Sequence, residues 1–385
     1  MSARITRRDS ADTADSERSG ERGQVLVVFV AALVFLLGLA ALGVDAGYLY
    51  SVRHELQRCT DAGALAGASA FFAGNWSDSP IRALAGTRAR DFAARDRVAN
   101  RTLDPSGDIS VGFPAPERVR VDASRTVNLF FSRMFLGPTR TVSAYSVAEA
   151  SVVNSNVKGL KPWGIPFPWE DTDGNDLFDP GETVHKDCPE GVSDPSRYFC
   201  PGTRVILKIG TPKNSPKNPN GMPSLQQEPG HFFCLALDGT GGSVYRDTIV
   251  EGSQTAFDVG ESITLEPGNM VGPTVQGARD LIDADPGSAW NEEWNRPESD
   301  LYRVGDDSWM NSPRVIRIPI YDPEDALSNG RTDMVVASFA GFWIESIQQQ
   351  GTIIGRFLPM RSSGIAGAAP GPSPGPVLKV LRLVE

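Results

Sequence analysis

Residues 22–72 read RGQVLVVFVAALVFLLGLAALGVDAGYLYSVRHELQRCTDAGALAGASAFF, and this stretch organises the rest of the chain. Between Val25 and Val44 it holds no charged side chain and no side chain that forms hydrogen bonds. As an α-helix these residues rise about 30 Å, which matches the hydrocarbon thickness of a bilayer. Because a single segment satisfies its backbone in lipid only as a helix, the pattern predicts one membrane span that ends before Asp45.

Apolar and small residues recur at steps of three and four around and beyond the end of this run. They form a seam of helix-packing candidates, which comprises Gly43, Gly47, Leu49, Val52, Leu56, Cys59, Gly63, Ala66, Gly67 and Ala70. This spacing predicts that one helix covers residues 23–74 and buries one face. Two possibilities remain for what buries this face. Gly-x-x-x-Gly pairs favour a partner helix. Alternatively, the Ala residues are present as good helix formers and the face packs on the protein's own sheet.

Basic residues predict the orientation of the span. The amino side carries five arginines, namely Arg4, Arg7, Arg8, Arg18 and Arg22. The near flank beyond the span carries only Arg53 and Arg58, so the amino end is expected in the cytoplasm. The apolar run is longer than the core of a cleaved signal, about 7–15 residues, which predicts a retained anchor. Residues 1–22 are polar and are expected to form a disordered tail.

The same stretch resembles the amino-terminal domain of the Tad/Flp pilus-assembly family, the TadE/TadG-like proteins. The residues that carry the resemblance are Arg22, Gly23, Gln24, Asp45, Gly47, Tyr50, Arg53, Leu56, Gln57, Asp61, Ala62, Ala64, Leu65, Ala66, Gly67 and Ala68. Val28 stands where processed pseudopilins of the family carry Glu, so prepilin-type cleavage is not implied. The resemblance implies a single-pass inner-membrane protein that helps to assemble or anchor a Flp-type pilus or the related secretion apparatus, with other Tad/Flp subunits as partners.

The rest of the chain predicts an α+β fold with two further parts on the outer side of the membrane. Residues 75–155 suggest a small α+β, pilin-like module, with helices at 81–98 and 126–135, a hairpin of strands at 108–113 and 118–122, and a strand at 139–153. Residues 156–362 suggest a β-rich, sandwich-like domain, with strands at 203–209, 232–237, 263–265, 314–321, 334–347 and 352–358 and a helix at 274–282. Residues 363–385 read as a Gly/Pro tether and a terminal strand.

The acidic loop DTDGNDLFDPGE, residues 171–182, has the length of an EF-hand calcium loop. Its candidate ligands, at positions 1, 3, 5, 7, 9 and 12, are Asp171, Asp173, Asn175, Leu177, Asp179 and Glu182. Asp176 replaces the Gly expected at position 6, and Gly174 lies two residues early. The loop predicts a calcium site of the weak extracellular kind; the alternative is an acidic surface turn.

Three of the four cysteines, Cys188, Cys200 and Cys234, lie in the outer part of the chain. Outside the cytoplasm a disulfide is the default, either Cys188–Cys200 or Cys200–Cys234. Zinc is the rival, because His185 and His231 join these thiols as possible ligands. The intervening segments lack the usual finger spacing, which favours the disulfide.

Several classes of function are disfavoured. The net charge of −10 and the pI near 5.0 argue against nucleic acid as a partner. The chain contains no H-E-x-x-H, G-x-S-x-G, P-loop or D-x-S-x-S motif, and its only histidines are His54, His185 and His231. The sequence therefore predicts a non-enzymatic protein with no small-molecule substrate. The alternatives are a calcium-stabilised surface adhesin or binding module and a periplasmic hydrolase.

Overall fold

The computed structural model describes residues 14–72, 79–133, 137–174, 178–189, 198–209, 233–303, 308–327, 333–367 and 375–384. For residues 14–24 and residue 349 it describes the backbone only. The fold is α+β, as the sequence predicts: a long amino-terminal helix is followed by a region rich in β-sheet.

Helix α1, Ala14–Ala68, runs without a break from before the apolar run to the end of the seam, and a 3₁₀ turn, Ser69–Phe72, continues it. The predicted disordered tail is therefore wrong for residues 14–22, and residues 1–13 lie outside the described part. The Glu and Arg residues of this segment have favourable helix propensities, so a helix nucleated in the apolar run extends through them. By length and composition α1 suffices to cross a membrane.

The module that follows the apolar run packs two helices on an antiparallel sheet. Its elements are α2 (Ser79–Ala93), β1 (Arg97–Val98), β2 (Arg101–Thr102), β3 (Ile109–Gly112), β4 (Arg118–Asn128) and β5 (Thr139–Ser155). Strands β3, β4 and β5 form a meander, with Ile109 opposite Ala123 and Arg118 opposite Glu149. The buried residues of α1 and α2 share one core with the inner face of β4, in which alternate residues are buried.

The predicted helix at 126–135 is wrong at its start. Thr126, Val127 and Asn128 continue β4, where they pair with residues 139–141 of β5. The β-branched Thr126 and Val127 suit this strand pairing better than a helix. Leu129–Ser132 then form a loop, and residues 134–136 lie outside the described part.

The outer part of the chain is built on a second, mixed sheet. Its elements in order are β6 (Ile165–Pro166), β7 (Arg204–Lys208), α3 (Gly242–Glu251), β8 (Ser262–Thr264), α4 (Val271–Asp283), β9 (Ala289–Asn291), β10 (Arg296–Glu298), 3₁₀ turn Ser308–Asn311, β11 (Val315–Tyr321), α5 (Pro323–Leu327), β12 (Asp333–Ile347), 3₁₀ turn Gln349–Gly351 and β13 (Ile353–Leu358). The strand order is β6-β11-β12-β13-β7, and β8 pairs with one end of β12. The predicted strand at 232–237 forms only isolated bridges, at Cys234 and Leu235.

Three more strands, β14 (Met360–Arg361), β15 (Ile365–Ala366) and β16 (Leu378–Leu383), return the chain to the first module. Strand β16 pairs antiparallel with β5, with Lys379 opposite Val152, so the first sheet reads β14-β16-β5-β4-β3. The terminal strand thus belongs to the sheet that packs on α1. Val153 and Leu378 of this sheet also lie in the core of the outer part, together with Phe342.

Candidate functional site

The part of the seam that follows the apolar run is filled by the protein itself. Val52, Leu56 and Cys59 are buried. A Cβ added at Gly63 would lie 2.8 Å from the carbonyl oxygen of Ala89 in α2, well inside contact distance. Of the two alternatives for what covers this face, the structure shows the protein's own helix and sheet.

Gly67 has the same role one turn further on. A Cβ there would lie 2.9 Å from Val119 Cγ1 of β4 and 3.1 Å from the carbonyl oxygen of Ala85. Ala70 is buried, whereas Ala66 and Leu49 are half-buried. The small side chains therefore allow α2 and β4 to approach α1 closely within one chain.

Gly43 and Gly47, the pair at the end of the apolar run, are exposed. A Cβ added at either position meets nothing within 4 Å. The apolar side chains of the same run, such as Phe35 and Leu36, are also exposed. This half of α1 therefore has no partner within the described part of the chain.

Asp45 joins the two halves of α1, directly after the predicted end of the span. Its side chain is buried. Its carboxylate accepts backbone N–H bonds from Phe130 and Phe131, each at 2.9 Å, and from Ser132, whose hydroxyl also donates to it at 2.6 Å. The loop after β4 is thus clamped to α1 where the apolar run ends. A signal was present: Asp45 lies four residues before Leu49 and so occupies the seam.

Polar side chains hold the next turns of α1 against β5. Gln57 Nε2 donates to Ser146 Oγ at 2.9 Å and to the carbonyl oxygen of Tyr145 at 3.1 Å. Thr60 Oγ1 lies 2.8 Å from Ser146 Oγ, and Asp61 accepts a hydrogen bond from the same hydroxyl. Asp45, Gln57 and Asp61, which are among the residues that carry the family resemblance, therefore all fasten α1 to its own sheet.

The far end of the packed half is closed by a buried ion pair. Lys379 Nζ of β16 lies 2.6 Å from Glu117 Oε1 and 3.4 Å from the carbonyl oxygen of Phe71, and both charged side chains are buried. On the same sheet, Glu149 of β5 binds Arg118 of β4 and Arg382 of β16, with the Arg118 Nε–Glu149 Oε2 distance at 2.6 Å. These charges tie β16 to the module.

The acidic loop brings three of its six predicted calcium ligands together. Carboxylate oxygens of Asp171, Asp173 and Glu182 lie within 4.8 Å of one another. Glu182 also accepts backbone N–H bonds from Thr172 at 2.7 Å and from Asp179 at 3.0 Å, so it shapes the loop. Asp179 is not in this cluster, and Asn175 and Leu177 lie outside the described residues. Three hard oxygen ligands suit calcium, although an acidic turn has the same features.

Cys188 and Cys200 form a disulfide, which decides between the two predicted pairings. Neither sulfur of this pair is then a thiolate for zinc. Cys234 is buried and does not form a disulfide, and burial raises the pKa of its thiol. Tyr245 OH donates to Cys234 Sγ at 3.2 Å. His231, the other predicted zinc ligand near Cys234, lies outside the described residues.

Comparison with known proteins gives a match, which lies on α1 and the start of the 3₁₀ turn that continues it. The family model described as putative Flp pilus-assembly TadE/G-like matches residues 23–70, that is, the apolar run and the whole seam. The match confirms the resemblance over this segment, which is less than half of the chain. No curated protein and no solved structure matches the chain.

Proposed function

We propose that the protein is a membrane-anchored, non-enzymatic component of a Tad/Flp-type pilus-assembly or secretion apparatus. Residues 25–44 cross the inner membrane once, with the amino end in the cytoplasm and the folded part in the periplasm or outside the cell. The observation that carries the proposal is that the TadE/G-like match covers a helix whose first half is apolar and exposed and whose second half bears a folded module.

Two surfaces remain for contact with other Tad subunits. The face of α1 around Gly63 is occupied by α2, which argues against the expected packing of partner helices there. The Gly43–Gly47 face is open and lies at the end of the apolar run, where small residues let a second helix approach closely. The outer part of the chain supplies the second surface, for pilus or envelope components.

Substitution of the open glycines tests the membrane contact. Gly43→Leu and Gly47→Leu are introduced separately into the full, affinity-tagged chain, expressed in a cell that carries Tad genes. We expect each variant to recover less of the cross-linked single-span Tad subunits, because Leu blocks close helix approach while nothing in the chain itself is displaced.

Gly38→Leu is the matched control. Gly38 is equally open, but it lies about 140° around the helix from Gly43 at 3.6 residues per turn. Recovery that is equal for the Gly43, Gly47 and Gly38 variants contradicts a contact on this face. Protease added to spheroplasts checks the orientation independently, because the part of the chain after α1 must be accessible to it.

A calcium-stabilised adhesin or binding module is the second candidate, and the cluster of Asp171, Asp173 and Glu182 favours it. Calcium bound there would order the loop that the Glu182 carboxylate shapes. Calcium is then expected to raise the melting temperature of the chain and a chelator to lower it. Asp173→Asn, at an exposed position, should abolish the shift, and an equal shift in that variant contradicts the site.

The hydrolase alternative has no comparable support. A cavity of about 640 Å³ between α1 and β3, β4 and β5 is lined by polar residues that include Arg53, Asp108 and Asp122. Its described lining contains no histidine and no cysteine. His54 packs edge-on against Tyr50, with the ring centroids 4.3 Å apart.

A further inference from the structure

The loop after β4 exposes two large apolar side chains. Phe130 is 58% exposed and Phe131 is 55% exposed, although the backbone N–H groups of both are bound to buried Asp45. Large apolar side chains that project from a clamped loop are unusual on a protein surface that faces only water. Their position beside Asp45 of α1 indicates what covers them.

Asp45 is the first charged residue after the apolar run, so it fixes the height of the loop relative to the bilayer. The hydrogen bonds hold the backbone of Phe130 and Phe131 within 2.9 Å of the Asp45 carboxylate. Val44, the last residue of the run, directly precedes Asp45. Tyr48, whose ring centroid lies 5.2 Å from that of Phe130, follows Val44 by four residues, about 6 Å of helix rise, so the Phe130 ring lies close to the end of the apolar run.

We propose that Phe130 and Phe131 insert into the outer-leaflet interface of the bilayer, as a second membrane contact beside α1. The proposal rests on the proposed membrane span. Lipid is the expected contact of the two rings because the Asp45 hydrogen bonds place them beside the exposed apolar run.

The residues around the two rings have the chemistry of a membrane interface. Tyr48 packs edge-on against Phe130, with the centroids 5.2 Å apart, and Tyr50 is exposed two residues further along α1. Aromatic side chains concentrate at this depth in membrane proteins. Arg133 and Arg140 are exposed next to the loop in sequence, where their guanidinium groups suit lipid phosphates.

A second contact restricts how the module moves on its anchor. A single helix leaves the module free to tilt and rotate with α1. Insertion of the loop that follows β4 gives the module a second point of attachment to the membrane. The hydrogen bonds of Gln57 already hold α1 to β5. The module therefore sits on the membrane surface in one orientation and presents the outer part of the chain at a fixed angle.

The test measures the depth of three positions in the full chain. Phe131→Cys, Ser143→Cys and Leu42→Cys are each labelled with an environment-sensitive fluorophore and reconstituted into phosphatidylcholine–phosphatidylglycerol vesicles, with or without brominated acyl chains. Ser143 is exposed on β5, and Leu42 lies in the apolar run. The unsubstituted chain gives the background, since Cys59 and Cys234 are buried.

We expect brominated lipid to quench the fluorophores at positions 42 and 131 but not at position 143. Quenching at 42 alone overturns the insertion of the loop and leaves the membrane span intact. A blue-shifted probe at 131 that brominated lipid does not quench indicates a protein partner and also overturns the proposal. Absence of quenching at 42 overturns the span itself, and the loop proposal with it.

Discussion

Both halves of α1 carry a Gly-x-x-x-Gly pair, but one pair is exposed and the other is covered by the same chain. Gly43 and Gly47, on either side of Asp45, lie on a face that nothing in the described part of the chain touches. After Asp45, Gly63 and Gly67 are covered by α2 and β4 at distances that leave no room for a side chain. A Gly-x-x-x-Gly pair therefore indicates close approach, and only the surrounding structure tells whether the neighbour is the same chain or another one.

The largest effect is expected where the packed half ends, at the pair of Lys379 and Glu117. Lys379→Met leaves a buried carboxylate without its cation, which costs about 3–5 kcal/mol of the free energy of unfolding. Chemical denaturation of the detergent-solubilised chain measures this loss. The double variant with Glu117→Gln should recover part of it, and a single variant as stable as the original contradicts the role of the pair.

Gly63→Leu is expected to have the next largest effect and sharpens the comparison most directly. The new side chain meets Ala89 and Ala93, and such overpacking lowers the free energy of unfolding by about 3 kcal/mol. Gly43→Leu is the matched change in the exposed half and should leave unfolding unchanged. If the two variants unfold alike in detergent, α1 and α2 do not pack as described.

The pH dependence of stability should come from the module packed on α1, since the apolar run holds no titratable group. Burial raises the pKa of Glu149, but hydrogen bonds from Ser151, Arg382 and Arg118 outweigh it and hold the pKa below its ordinary value. Stability from Glu149 is complete above the unfolded value, about 4.3, and is lost as the pH falls through the folded pKa. Stability measured against pH should therefore decline less steeply below that value in Glu149→Gln. Equal slopes contradict this assignment.

The smallest expected effect is local to the boundary between the halves. Asp45→Asn removes the charge that the three N–H groups share, so the clamp on the loop weakens. Amide hydrogen exchange should become faster at Phe130 and Phe131, while β4 keeps its protection. Asp91→Asn, at an exposed position on α2, is the control and should change neither.

The sequence predicted what depends on local pattern. The apolar run and the seam define α1, and the predicted strands at 314–321, 334–347 and 352–358 correspond to β11, β12 and β13. Helix α3 was missed because Gly242 begins it and β-branched residues such as Val244 and Ile249 weaken its helical signal.

Long-range contacts could not be predicted in the same way. Periodicity shows that a face is buried, but not that Ala89 covers Gly63 or that the loop at Phe130 covers Asp45. The pairing of β16 with β5 is equally invisible, since its alternating residues suit many neighbours. In the acidic loop, the sequence indicated Asp171, Asp173 and Glu182 as candidate calcium ligands. Only the fold shows that their carboxylate oxygens lie within 4.8 Å of one another.

The pairing of β16 with β5 also determines how late in synthesis the first sheet can finish folding. Glu149 and Arg382 are joined across a separation of 233 residues. If the chain is threaded through the membrane in order, the edge of β5 waits, unpaired, while the whole outer part is exported. The sheet that packs on α1 is then the first to arrive and among the last to close, and a chaperone that shields this edge has a defined interval in which to act.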